Sequence, residues 1–337
     1  MFAKNNQTQH ENATSTSTHS STLTTYDILS LLILVLETVV GILVNGFIMI
    51  VNLIDLVTHR KLGSCDSILA CLGLARFSFM LLVLAVYFVS YLYPNLANSQ
   101  SAINNLQYTW LFFNDICMWL ATWLCIFYCV RIVKIQVHIY VIFKTHFDHW
   151  VPYFLLASVA ISAFCSNSST YTCLNNFVNL SKFDQVNKST QFILGGSDYS
   201  TFSTLSVVGT LPPFLLFCAA AGLVVGSLLR HTTKMKAQEK TGFREPSLNA
   251  HYRAVKMMTA FFILFLFYMV AFNLNSSGVL SEGIWFCFCT IIIGAYPSLH
   301  SILLVNGNQK LKQVFMRILQ KTKFYKQDLT PTETLSD

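Results

Sequence analysis

The chain has 337 residues, of which 54% are hydrophobic and only 11% charged, with 28 Phe among them. That balance excludes an ordinary soluble domain and points to a protein that crosses a membrane several times. The formal net charge of +7 does not indicate nucleic acid, because the basic residues fall in short segments between long apolar runs, the pattern of cytoplasmic membrane loops.

Residues 1–27 are polar, rich in Ser, Thr and Asn, and lack the basic start and short apolar core of a signal peptide. They are expected to form a disordered tail, so that the first span acts as its own insertion signal. That span is predicted over 28–54, and a second over 67–92 after Arg60 and Lys61. The third, 106–130, contains no Lys, Arg, Glu, Gly or Pro. At about 1.5 Å per residue it is about 37 Å long, enough to cross a hydrocarbon core of about 30 Å. It carries Asn114 and Asp115, which must face protein or a watery cavity because a polar group facing lipid costs several kcal/mol. Trp110, Asn114 and Met118 recur every four residues, with Phe113 three on from Trp110. They form one inward stripe suited to a small-molecule pocket. Asp115 lies about 100° round the helix from Asn114 and is expected to be a hydrogen-bonded acid against a neighbouring helix.

After a basic, aromatic connection over 131–150, a short fourth span is predicted at 151–165, followed by a polar loop to 203. The fifth, sixth and seventh spans fall at 204–229, 254–274 and 284–305, leaving a Lys-rich tail. The predicted fold is an all-α, seven-transmembrane helix bundle in the plasma membrane: seven-span domain 28–305, amino-terminal tail 1–27 and cytoplasmic tail 306–337. The segments 55–65, 131–150 and 230–256 and the tail hold 18 of the 22 Lys and Arg, which puts the amino terminus outside. Asn-x-Ser/Thr acceptors begin at Asn6, Asn12, Asn167, Asn179, Asn187 and Asn275, all on the predicted outer side. Asn179 and Asn187, in the middle of a loop, are the expected glycosylation sites.

Most of the ten Cys lie in apolar runs as small hydrophobes; Cys165 and Cys173 are placed for an external disulfide, which the sequence leaves open. Glycine-rich phosphate loops, His-Glu-x-x-His and Gly-x-Ser-x-Gly are absent from the chain, so neither an enzyme nor a bound cofactor or metal is expected. His138, His146 and His149 read as solvated loop histidines. Asn45 and Arg76 sit on the inner halves of spans one and two, where a hydrogen-bonded network to span seven near His300 and Ser301 would serve as a switch or a structural tie. Pro213 and Pro297 each remove a helix hydrogen bond and mark points of bending. Gly222 and Gly226 have the spacing of a close helix contact, expected within the bundle, with a dimer face as the alternative.

Local sequence adds specificity. Span one has Asn45-Gly46-Phe47-Ile48 and Val51-Asn52; span two has Asp66-Ser67-Ile68-Leu69 and Leu74-Ala75-Arg76. The segment before span six reads Gly242-Phe243-Arg244-Glu245-Pro246-Ser247, and span seven closes with Ala295-Tyr296-Pro297-Ser298-Leu299-His300-Ser301. In these blocks the chain resembles the bitter taste receptor family (taste receptor type 2), which are G-protein-coupled receptors. It departs from the family after Tyr128, where Arg131 and Lys134 keep the charge but the usual Asn and Ser are missing. The resemblance implies a ligand cavity among spans two, three, five, six and seven, open to the outside and receiving small bitter compounds. By position it implies Trp110, Asn114, Tyr268 and Thr290 as ligand contacts, with Tyr87 and Phe113 as further candidates. On the inner side, Arg131, Lys134, His231, Arg253, Lys256 and Lys310 are expected to border a cleft for a gustducin-like heterotrimeric G protein and to meet lipid phosphates. The alternatives are a vomeronasal type 1-like receptor, disfavoured by the Pro297 to Ser301 block, and a seven-span transporter, which would show internal repeats.

Overall fold

A computed structural model describes residues 25–93, 100–133, 137–181, 199–239, 247–276 and 284–328, with side chains over most of that length. They form eight helices: α1 Thr25–His59, α2 Ser64–Leu92, α3 Gln100–Ile132, α4 His138–Ser181, α5 Tyr199–Glu239, α6 Ser247–Ser276, α7 Ile284–Gly307 and α8 Gln309–Asp328. Each of the first seven holds a stretch long and apolar enough to cross a membrane.

Two predicted boundaries are corrected. The fourth span is not short: α4 is helical from His138 to Ser181, so the first part of the predicted polar loop, with Asn179, is helix instead, and its membrane-length stretch runs over 140–167. The segment 138–150 was expected to be a connection because it carries His, Lys and Asp, but composition reports polarity and not backbone state. Pro152 lies inside this helix. The lysine-rich tail also begins as a helix, α8, whose buried Leu311 seats it on the bundle.

The bundle is ordered by which helices touch. α1 packs on α2 and α7, α3 on α2, α4 and α5, and α6 on α5 and α7. The central place belongs to α3, where every residue from Asn114 to Thr122 is buried. Its flank against α4 is aromatic, with Trp123 stacked on Phe154 at 4.2 Å and its indole N–H donating to Ser158 Oγ at 2.9 Å. Its flank against α5 is tied by the Thr122 hydroxyl donating to the Pro213 carbonyl at 3.0 Å. α1 and α7 approach closely: a Cβ on Gly41 would lie 2.6 Å from Ser298 Oγ, and one on Gly294 would lie 2.7 Å from Glu37 Oε2. Leu36, Leu43, Val57, Leu156 and Phe267 point out of the bundle, as lipid-facing side chains do.

The expectation that Gly222 and Gly226 pack within the bundle is overturned. A Cβ on either would meet nothing within 4 Å, so this face of α5 is turned outward. Cys165 is a free thiol. It shares α4 with Cys173 eight residues on, about 12 Å along a helix, which is beyond disulfide reach.

Candidate functional site

Side chains of α2, α3, α6 and α7 line a narrow, tightly closed cavity with room for little more than a water-sized group. Its wall is Phe79, Trp110, Asn114, Cys117, Met118, Tyr268, Ile293, Tyr296 and Pro297, with Arg76 at the floor. The four-residue stripe Trp110, Asn114, Met118 supplies one side, spanning about 12 Å along α3. Trp110 stands edge-on to Phe79, ring centroids 4.9 Å apart. Across the cavity, the Tyr268 hydroxyl donates to Asn114 Oδ1, and this bond latches α6 to α3. It leaves Asn114 Nδ2 without a well-aligned hydrogen bond. The Tyr268 ring also packs at a tilt against Tyr296, centroids 4.5 Å apart.

Trp110, Asn114 and Tyr268 thus line one cavity, and Phe113 and Thr290 do not join them. Phe113 packs behind the wall against Phe79 and Phe112. Thr290 lies on α7 with its hydroxyl donating to the Phe286 carbonyl at 2.8 Å, outside the lining. Among the described side chains none of α5 lines the cavity, because its inward face packs on α3 and α6, with Phe217 4.4 Å from Phe265. Phe79, Cys117, Ile293 and Tyr296 escaped notice because single apolar or aromatic residues have no contrast within apolar spans. Asp115 is buried on a different face, directed at α5: a Cβ on Gly209 would lie 2.9 Å from its Oδ2.

Beneath the cavity lies the network expected around Asn45 and Arg76. Arg76 Nη1 bonds to His300 Nδ1 at 2.8 Å and donates to Ser301 Oγ at 3.1 Å. Ser301 Oγ donates in turn to Asn45 Oδ1 at 2.7 Å, and Asn45 Nδ2 to the Gly41 carbonyl at 2.9 Å. A guanidinium can only donate, so His300 Nδ1 must accept, and the imidazole is neutral with its proton on Nε2. One relay therefore joins α1, α2 and α7. Pro297 has no N–H to give to the Ile293 carbonyl one turn earlier, so α7 is weakened beside both the cavity and the relay. His300 stacks on Phe261 of α6 at 4.6 Å and borders a second small cavity with Ala121, Leu124, Cys125, Tyr128, Phe217 and Met258.

The basic end of the bundle is partly committed to internal contacts. Lys310 Nζ bonds to Asp66 at 3.0 Å, Asn52 at 3.2 Å and Asp55, clamping α8 to α1 and α2. Burial alone would lower its affinity for a proton, but the hydrogen bonds and charges of Asp55 and Asp66 outweigh that, and the net shift is upward. Arg131 pairs with Asp148 at 2.9 Å on the surface and lies over the Phe127 ring. Lys256 is exposed. Lys134 and Asn187, and the side chains of Tyr87, Asn179, His231 and Arg253, lie outside the described residues.

The family model for "Taste receptor protein (TAS2R)" matches residues 22–323. The chain is 33% identical over 291 residues to taste receptor type 2 member 119 of Mus musculus, covering 84% of this chain and 82% of that one. It is 28% identical over 307 residues to taste receptor type 2 member 39 of Homo sapiens, covering 90% and 89%. It is 30% identical over 300 residues to taste receptor type 2 member 1 of Chlorocebus aethiops, covering 88% and 97%. With seven membrane-length helices and a family match over most of its length, this chain is a multi-pass membrane protein that belongs to the taste receptor type 2 family of G-protein-coupled receptors.

Proposed function

We propose that the chain is a receptor for small bitter compounds, which enter the Trp110–Asn114–Tyr268 cavity from outside the cell and shift the bundle toward a shape that activates a gustducin-type G protein. The observation that carries this is the convergence of an indole face, an amide and a phenol on one cavity. These are the groups that hold flat apolar rings and orient their polar substituents. In this reading the amino-terminal tail 1–27 and the acceptors Asn179 and Asn187 are extracellular, and 306–337 is cytoplasmic. Lipids surround the bundle, and the outward Gly222–Gly226 face is available to a second receptor.

The proposed route from ligand to G protein runs along these contacts. A ligand reaching Asn114 competes with the Tyr268 hydroxyl and moves Tyr268 against Tyr296. Tyr296 lies one turn from His300 on α7, beside Pro297. Strain there redistributes the Arg76–His300–Ser301–Asn45 relay, and α6 and α7 bend at their basic ends, with Pro213 giving α5 a matching hinge. The ligand biases this equilibrium only by its preference for the active shape. The opened cleft would carry Arg131, Lys134, His231, Arg253 and Lys256, with Lys310 acting from its clamp. Thr290, Phe113 and Tyr87 would act at the margins of the ligand.

The test is calcium imaging of cells that express the chain with a gustducin-like chimeric α subunit, challenged with a diverse bitter panel. A G-protein-dependent response that is lost in Trp110→Ala at equal surface expression is expected. A response that survives that substitution moves the ligand elsewhere, and silence of a surface-expressed receptor across the panel refutes the function.

A further inference from the structure

We propose that the floor of the cavity is an anion site, centred on Arg76, that takes a small monovalent anion or the acid group of a ligand. Arg76 is wholly buried, and both hydrogens of its Nη1 are spent on His300 and Ser301. Its Nε and Nη2 form no well-aligned hydrogen bond, and beyond those two residues only the uncharged Cys117 thiol and Tyr296 hydroxyl lie close to the guanidinium, so three of its five N–H donors are not fully satisfied. The Tyr296 hydroxyl, which makes no well-aligned hydrogen bond and lies beside Arg76, lines the same cavity as a further donor; Asn114 Nδ2 lies nearer the Asp115 carboxyl and is not counted with it. The acceptors nearest the guanidinium, the Cys117 sulfur and the Tyr296 hydroxyl oxygen, carry no charge.

Charge leads to the same conclusion by a separate path. A guanidinium keeps its proton inside proteins, so a full positive charge sits within the bundle. None of the ion pairs among the described residues includes Arg76. Neither of the two acids of the membrane interior pairs with Arg76: Glu37 faces Gly294, and Asp115 faces Gly209 and the Asn114 amide. His300 is a neutral acceptor, and the Tyr296 ring, 5.5 Å from the guanidinium carbon, offsets part of the charge only. Water would satisfy the N–H groups but leave the charge uncompensated in a medium of low dielectric, whereas an anion answers both requirements. The same guanidinium anchors the relay through Nη1, so an anion at Nε and Nη2 fixes the plane from which His300 and Ser301 are held.

The site lies within the proposed ligand cavity, and its ligand arm rests on that reading; the ion arm requires neither agonist nor G protein. Full-length receptor purified in detergent is melted across a chloride series, with bulky gluconate keeping the ionic strength fixed. Saturable stabilisation by chloride is expected in the wild type and not in Arg76→Gln. Tyr296→Phe keeps the ring and removes one donor, and its half-saturating chloride should rise about tenfold; it carries the comparison if Arg76→Gln does not fold. Benzoate and its neutral counterpart benzamide separate the sources. Stabilisation by chloride with benzoate competing assigns an exchangeable ion, and stabilisation by benzoate alone assigns the acid group of a ligand. Equal melting in chloride and gluconate, together with no difference between benzoate and benzamide, overturns the site, as does an anion dependence unchanged in Tyr296→Phe. A chloride effect in a receptor silent to every bitter compound would refute the function and leave the site standing.

Discussion

Tyr268→Phe removes one hydroxyl and keeps the ring that packs on Tyr296 and Phe272. The hydroxyl donates to Asn114 Oδ1 between two buried side chains, so a ligand that engages the amide must first break this latch. A hydrogen bond between membrane helices is worth about 0.6 kcal/mol on average and at most about 1.7. At about 1 kcal/mol the latch lowers the competent fraction about fivefold, and the apparent affinity falls by the same factor. Tyr268→Phe should therefore respond to an amide-engaging agonist at about fivefold lower concentration, while the ligand-free receptor melts earlier because Asn114 Oδ1 has lost its donor. The assay is a calcium concentration–response curve at matched surface expression, paired with melting in detergent and repeated in an Asn114→Leu background. There the hydroxyl has nothing to hold and its removal should leave potency unchanged. Unchanged or weaker potency in Tyr268→Phe, or an effect undiminished in the Asn114→Leu background, would refute the latch.

Ser301→Ala cuts the relay between Arg76 and Asn45 and leaves the Asn45 carbonyl without a donor; melting should show a loss of about 1–2 kcal/mol, recovered by Ser301→Thr. Gly209→Ala brings a methyl group to 2.9 Å from Asp115 Oδ2, a crowding worth about 1–3 kcal/mol; adding Asp115→Ala should restore part of the lost melting temperature, and a strictly additive double variant would exclude the contact. Lys310→Met leaves Asp55 and Asp66 facing one another and loosens α8, so surface expression should fall. Because the Lys310 amine titrates upward on folding, its contribution is complete below the ordinary lysine range, about pH 10.4, and is lost only above it. Wild-type melting should therefore decline more steeply than that of Lys310→Met at that alkaline limit and no differently near neutrality.

The parts of this molecule that were readable in its sequence are those where lipid enforces a rule. Seven apolar lengths must be helices because no other backbone form satisfies its own hydrogen bonds in hydrocarbon. Arg76 and Asn114 had to face inward, and the four-residue spacing of Trp110, Asn114 and Met118 then drew the cavity wall. Where lipid enforces nothing, the sequence was read too simply. Residues 138–150 mix aromatics with His, Lys and Asp at the membrane boundary, where helix and loop have similar composition. In α8, Leu311, Val314, Phe315, Ile318 and Leu319 recur at helical spacing, a pattern hidden by the lysines between them. The Gly222–Gly226 spacing says that a helix face is smooth, not which way it is turned. Phe79 and Tyr296 had no contrast with their surroundings, so only packing could place them on the wall.

Arg76 lies at the junction of cavity and relay, and this bears on how sensing and switching are coupled. No long chain of intermediaries is needed if one guanidinium belongs to both. Its Nη1 holds His300 and Ser301, its remaining donors border the cavity, and the plane of the group is rigid, so rotation at one edge displaces the other. His300 carries that displacement to Phe261 on α6 and Ser301 carries it to Asn45 on α1. A ligand that never reaches the floor would have to act through the Tyr268 latch and the Tyr268–Tyr296 contact instead. Two agonist classes follow. Those that act through the latch should lose their advantage from Tyr268→Phe in the Asn114→Leu background. Those that act through the guanidinium should be indifferent to that background and sensitive to Tyr296→Phe.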